Sequence, residues 1–224
     1  MKNQMITRFC FVTIFGLLSI LTTTGQGQSV KYDLINLFEN GKIEPYNRQL
    51  SQFTESGKKG IRFSKNGGDG IAWLNGVEFS NGIIELDIRG KDVLQESFVG
   101  VAFHGVNNET LDAIYFRPFN FQSTDPVRKI HAVQYISHPD NTWSILREKY
   151  NGKYEKAVIP APNGNEWFHA KIVIQYPKVT VFVNGNSEPS LVIDKLNNRE
   201  TGKIGLWVGN NSDGDFANLQ IINK

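Results

Sequence analysis

The sequence predicts an all-β chain folded as an antiparallel two-sheet sandwich or barrel. Three observations carry this. The apolar runs are short and rich in β-branched and aromatic residues. Gly, Asn, Asp and Pro punctuate them, with Asn-Gly recurring at residues 66–67, 75–76, 81–82, 151–152, 163–164 and 184–185, where the positive φ of a tight turn is tolerated. No long window repeats its apolar residues at a 3.6-residue period, so crossover helices are not expected.

The expected strands follow in order. "GIRFS", "GIAWL" and "GIIELDIRG" come first, the last placing Ile84, Leu86 and Ile88 on one side and Glu85, Asp87 and Arg89 on the other. In "SFVGVAFHG", Val99, Val101 and Phe103 alternate with Gly100, Ala102 and His104. In "DAIYFRP", Ile114 and Phe116 take the core side, and Tyr115 and Arg117 point outward. "HAVQYIS", "TWSILREKY", "HAKIVIQY", "KVTVFVNG", "SLVIDKL", "GKIGLWVG" and "DFANLQIIN" complete the set. The polar stretch from Asn120 to Lys129 is the longest between strands and is expected to fold over one sheet.

Residues 1–28 are set apart. Lys2 and Arg8 precede an apolar run from Phe9 to Leu21, then small and polar residues follow, which is the pattern of a cleaved secretory signal. Residues 29–224 then form one exported domain, periplasmic or secreted. That domain contains no Cys and no Met, which excludes disulfides, thiolate nucleophiles and Cys-ligated zinc. The leader takes two of the 24 basic residues and none of the 22 acids, so the domain is charge-balanced and has no basic run for nucleic acid. Nothing after the leader suggests membrane insertion.

The closing half, "EWFHAKIVIQYPKVTVFVNGN" then "TGKIGLWVGNNSDGDFANLQIIN", resembles the concanavalin A-like lectin/glucanase superfamily. More narrowly it resembles the laminin-G-like group and the 3-keto-disaccharide hydrolase domains. The resemblance rests on Trp167, Val183-Asn184-Gly185, Gly202 to Leu206 and Phe216, with "FSNGIIELDIRG" matching the early strand. It implies a jelly-roll sandwich and a carbohydrate partner, and leaves activity open because lectins, glycosidases and adhesion modules share this fold.

Glu85 and Asp87 invite comparison with the E-x-D-x-E glucanase motif, but Arg89 or Gly90 stands where the third acid belongs. The pair is expected to be a solvent-side charge ladder, at most the rim of a ligand site. The sharper candidate is the outward side of the central strands, where His104, Tyr115, Arg117 and Gln134 would present a ring and planar hydrogen-bonding groups to a sugar, bordered by Glu85, Asp87 and Trp143. The competing reading packs Tyr115 and Arg117 against the 120s stretch. An outward Tyr115 predicts little loss of stability on its removal. Asp213 and Asp215 in "NNSDGDF" are candidate ligands for a structural calcium or other divalent metal, against the plainer reading of an Asp-rich turn. His131, His138 and His169 lack metal-ligand spacing, and "KNGGDG" matches no nucleotide fingerprint. Three functions follow: glycan binding on one sheet face, hydrolysis of a glycoside or 3-keto-glycoside, or adhesion without catalysis.

Overall fold

The computed structural model describes residues 27–55 and 57–224, so most of the expected leader lies outside it. In chain order the strands are β1 Ser29–Lys31, β2 Ile43–Tyr46, β3 Leu50–Glu55, β4 Lys58–Asn66, β5 Gly70–Phe79, β6 Gly82–Arg89, β7 Val99–Gly105 and β8 Leu111–Phe116. They continue with β9 Val133–His138, β10 Glu155–Lys156, β11 Phe168–Gln175, β12 Lys178–Val183, β13 Leu191–Asp194, β14 Gly202–Val208 and β15 Ser212–Asn223. Among the described residues three short α-helices, α1 Leu34–Glu39, α2 Pro126–Lys129 and α3 Trp143–Lys149, and one 3-10 turn, Pro118–Asn120, interrupt them.

The strands form two antiparallel sheets with jelly-roll connections. The first runs β13-β12-β11-β6-β15-β4-β3, with β1 also paired to β15, and the second runs β10-β9-β8-β7-β14-β5-β2. Inward side chains of both sheets make one core. Ile84, Leu86, Ile88, Phe168, Ile172 and Phe216 meet Val101, Phe103, Ile114, Phe116 and Leu206, all buried. Phe116 packs edge-on against Phe168 at 4.9 Å between centroids.

Two expectations fail locally. "TWSILREKY" forms α3 rather than a strand, because Leu, Arg, Glu and Lys favour helix and only Leu146 needs burial. Asn75-Gly76 makes no turn between strands. It lies inside β5, where Trp73 faces Gly205 and Glu78 faces Lys203, a bulge that lets Gly76 take φ +75°.

The sheets differ in how their outward sides are treated. β11 alternates between buried and half-exposed residues, as a strand with one wet side should. β7 and β8 are buried at every residue, and β9 at all but His138. The outward side of the second sheet is therefore covered.

The core assignment has a direct test. Phe116→Ala should lose about 3–5 kcal/mol through the cavity it leaves, whereas Val192→Ala, on an exposed edge position, should stay within about 0.5 kcal/mol of wild type. Urea unfolding of both variants checks the contrast.

Candidate functional site

A row of outward residues crosses four strands of the second sheet. Trp207 on β14 faces Gly100 on β7, Gly100 faces Tyr115 on β8, and Tyr115 faces Gln134 on β9. Gly100 leaves the space through which the Trp207 and Tyr115 rings approach to 5.0 Å, and a Cβ there would lie 2.6 Å from the Tyr115 Cα. The Tyr115 hydroxyl donates to Gln134 Oε1 at 2.9 Å, and Arg117 donates to both that hydroxyl and that amide oxygen at 2.5 Å. Arg117 also donates to the His131 carbonyl at 3.0 Å and lies 3.5 Å from Glu155, itself gripped by two bonds from Arg147. Burial pushes the Glu155 carboxyl up, but the hydrogen bond and charge of Arg147, with His131 and Arg117, outweigh it and hold the carboxyl below its ordinary range. Burial drives the Tyr115 hydroxyl up to about 12, so it stays a neutral donor.

The cover comes from the segment after β8. Phe119 packs edge-on against Phe98 at 5.4 Å, and Phe98 against Tyr115 at 6.1 Å. Asn120 bonds the His131 carbonyl, and Arg128 bonds Asn120 and the Phe119 carbonyl. On the β9 side, the Trp143 carbonyl that opens α3 accepts from Gln134 at 3.5 Å, while the Trp143 indole stays 50% exposed with Arg147 over its ring.

A second group closes over the same side. Asp69, just before β5, and His138, ending β9, meet at 3.8 Å although β8, β7 and β14 lie between their strands. Burial raises the Asp69 carboxyl and lowers the His138 imidazole, so both are driven toward their neutral forms. The Asp69 charge also reaches Tyr115, adding to the upward push there. The glycine-rich turn that presents Asp69 is clamped. Arg48 donates to the Gly68 and Gly209 carbonyls, Asn47 to the Gly67 and Asp69 carbonyls, and the Gly68 amide to Asn210 Oδ1. Gly70 gives Arg48 its room, since a Cβ there would lie 2.3 Å from the Arg48 Cγ. Trp207, 3% exposed, keeps a buried Nε1 with no hydrogen-bond partner.

The structure thus brings Tyr115, Arg117 and Gln134 together, with Trp143 at their border. They bond one another beneath Phe98, which Phe119 backs, and Tyr115 is only 2% exposed. His104 is elsewhere. Its φ of +48° turns it into the sandwich end, where its Nδ1 accepts from Lys195 at 2.5 Å and its Nε2 donates to the Ser80 carbonyl. Lys195 in turn lies 3.1 Å from Asp112, which also accepts from Tyr135 and Asn197. Burial first, then the Lys195 charge, lowers the His104 imidazole.

Glu85 and Asp87 do not border the Tyr115 cluster either, because β6 belongs to the opposite sheet. They form the cross-strand ladder, Glu85 with Lys171 at 3.4 Å and Asp87 with His169 at 2.9 Å. Asp213 pairs with Lys91, and Asp215 is held between Arg62 at 2.7 Å and Arg89 at 2.5 Å, beside a cleft of about 370 Å³. A divalent cation would have to displace these cations, and among the described residues no group of three His, Cys, Asp or Glu is placed to hold a metal. These residues do not fit a calcium site.

Asp69, Trp207 and Phe98 stand outside the residues the sequence singles out, and His138 is weighed there only as a metal ligand. Trp207 was accessible through its parity, since it alternates with Leu206 and Val208. The meeting of Asp69 with His138 was not, because it depends on which strands are neighbours and on how far the face curls.

Two predictions follow from this geometry. Tyr115→Ala should cost about 3–5 kcal/mol, like a core aromatic and against the expectation for an open face. Asp87 supplies a pH signature. Burial raises it, but bonds from His169, Lys58 and Asn218 outweigh this and hold it well below the ordinary 3.8. A depressed carboxylate stabilises fully above its unfolded pKa and loses that contribution as pH falls through its folded pKa. His169 is raised above 6.5 by the same bond, so its share is complete below 6.5 and fades as pH rises through its folded pKa. The stability gap between wild type and Asp87→Asn should therefore be widest near pH ~5–6 and narrow in both directions, as urea midpoints across pH will show.

Among the described residues no helix is long and apolar enough to cross a membrane. No curated protein matches the chain by sequence. Several solved structures share its fold. A carbohydrate-binding module, CBM66 of Bacillus subtilis, superposes with TM-score 0.57 at 13% identity, covering 80% of this chain and 95% of that one. A Bacillus subtilis protein of unknown function with a galectin-like fold gives 0.58 at 10% identity, covering 89% and 99%. The exoplasmic/lumenal domain of VIP36, in a form bound to Ca2+ and Man3GlcNAc, gives 0.52 at 10% identity, covering 82% and 84%. These likenesses establish the fold, a jelly-roll sandwich. The family model described as "3-keto-alpha-glucoside-1,2-lyase-like domain" matches residues 33–222, nearly all of the described chain, and the protein belongs to that family.

Proposed function

We propose that the covered side of the second sheet binds a 3-keto-α-glucoside and releases its aglycone by elimination across C1 and C2. The observation that carries this reading is the meeting of Asp69 with His138 at 3.8 Å, close enough to Tyr115 for the Asp69 charge to act on its hydroxyl. The C3 ketone acidifies the C2 hydrogen. His138, held toward its neutral form, takes that proton. Asp69, held toward its protonated form, gives its proton to the glycosidic oxygen as the C1–O bond breaks. The C2–H electron pair becomes the C1=C2 bond, the alcohol leaves, and no oxidant or water is consumed. This route needs no nucleophile opposite a raised acid, consistent with the absence of the third glucanase carboxylate beside Glu85 and Asp87.

A second reading is binding without turnover. It is favoured by the fold shared with a carbohydrate-binding module and by the exposed Trp143 at the border of the Tyr115 cluster. One experiment separates the two. The purified domain is incubated with nitrophenyl 3-keto-α-glucoside, unlabelled and deuterated at C2. Elimination predicts nitrophenol release with a primary isotope effect, a bell-shaped pH profile because the Asp69–His138 pair must hold one proton, and a loss of about 10²–10⁴-fold in His138→Ala. Saturable binding with no release would support the second reading. Release unaffected by His138→Ala would overturn the assignment of the base.

A further inference from the structure

The first sheet carries a cavity separate from the cleft beside Asp215. β4 pairs with β15 up to Ala217 and β1 pairs with it from Gln220, so the backbone ladder is interrupted between them. Asn218 sits in that gap at φ +53°, the left-handed region that asparagine adopts more readily than other side-chain-bearing residues. Its side chain donates to Asp87 Oδ2 at 2.6 Å, and Lys58 donates to the same oxygen at 2.6 Å. Asp87 Oδ1 takes the remaining partner, His169 Nδ1, at 2.9 Å. Three donors thus fix one carboxylate, and the carboxylate fixes one imidazole, whose Nε2 is left for something else.

That imidazole lines a cavity of about 460 Å³, large enough for a pyranose. Leu34 and Leu219 supply apolar wall, and Tyr32, Asp33, Glu85 and Gln220 supply groups that bond hydroxyls. The charge around it is lopsided. Lys31 and Lys59 line it, with Lys58 and Lys171 just behind, and against these and His169 stand only Asp33, Glu85 and Asp87. Each of the three acids already carries a lysine, leaving Lys31 and a protonated His169 in excess.

We infer that this cavity binds a sugar acid, a monosaccharide-sized ligand whose carboxylate pairs with His169 and the neighbouring lysines while its hydroxyls meet Asp33 and Glu85. The Asp87 bond raises the imidazole above its ordinary value, so the ligand is held on the acid side and released as His169 loses its proton. The site lies on the sheet opposite Asp69 and His138 and stands whether or not the elimination does.

The test is calorimetric titration of the domain with D-glucuronate, D-glucose and acetate at pH about 5.5 and about 8.5, with the His169 ring followed by NMR. Glucuronate should bind and perturb the His169 resonances. Its affinity should fall about tenfold or more at the higher pH and in His169→Gln, and several-fold in the exposed variant Lys59→Ala. Val127→Ala, at an exposed position on α2, should leave it unchanged. Glucose binding as well as glucuronate would overturn the anionic specificity. Acetate matching glucuronate would reduce the site to a free-anion contact and overturn the sugar. No glucuronate binding by wild type, or equal binding by His169→Gln, would overturn the site itself.

Discussion

Arg117 is the constraint on which the covered face depends. Its guanidinium is buried, carries five N–H donors and no acceptor, and must therefore be surrounded by acceptors. Tyr115 and Gln134 supply them from β8 and β9, the His131 carbonyl from the cover, and Glu155 from β10. Each contact ties a different layer to the same cation. The cover after β8 and the edge after β9 are consequently parts of one polar knot rather than loose connections. A network of this kind contributes little net stability against an apolar substitute, but it admits few alternative arrangements.

The two sheets solve the problem of their outward sides differently. The first leaves its side wet and neutralises it with cross-strand ion pairs, Glu85 with Lys171, Asp87 with His169, and Asp215 with two arginines. The second removes its side from water and furnishes it with aromatic rings and a titratable pair. Small residues at Gly100, Ala102 and Ala113 keep the middle of that side low, so Trp207 and Tyr115 can approach over them. The division lets one sandwich present two chemically distinct surfaces back to back.

Much of the fold was legible in the sequence because period-2 alternation and Asn-Gly turns are local signals. Ile114 and Phe116 inward, with Tyr115 and Arg117 outward, is the parity found. What parity cannot express is what lies above an outward residue, so Tyr115 was expected on an open face and is buried. His104 shows a related limit. A single positive φ reverses the direction that alternation assigns. Glu85 and Asp87 were placed near Tyr115 because strand order was unknown, and one crossover moves them to the far side of the molecule. α3 was missed because seven residues with one buried leucine make too short a periodic stretch to read.

Trp207 holds an indole N–H that is out of water and without an acceptor, with the Tyr115 ring 5.0 Å away. Indole emission responds to hydrogen bonding at that nitrogen and to the polarity around the ring. A ligand that reaches Nε1 would change both at once. The protein thus carries its own optical reporter on this face, and occupancy can be followed by fluorescence without a label once Trp73, Trp143 and Trp167 are replaced.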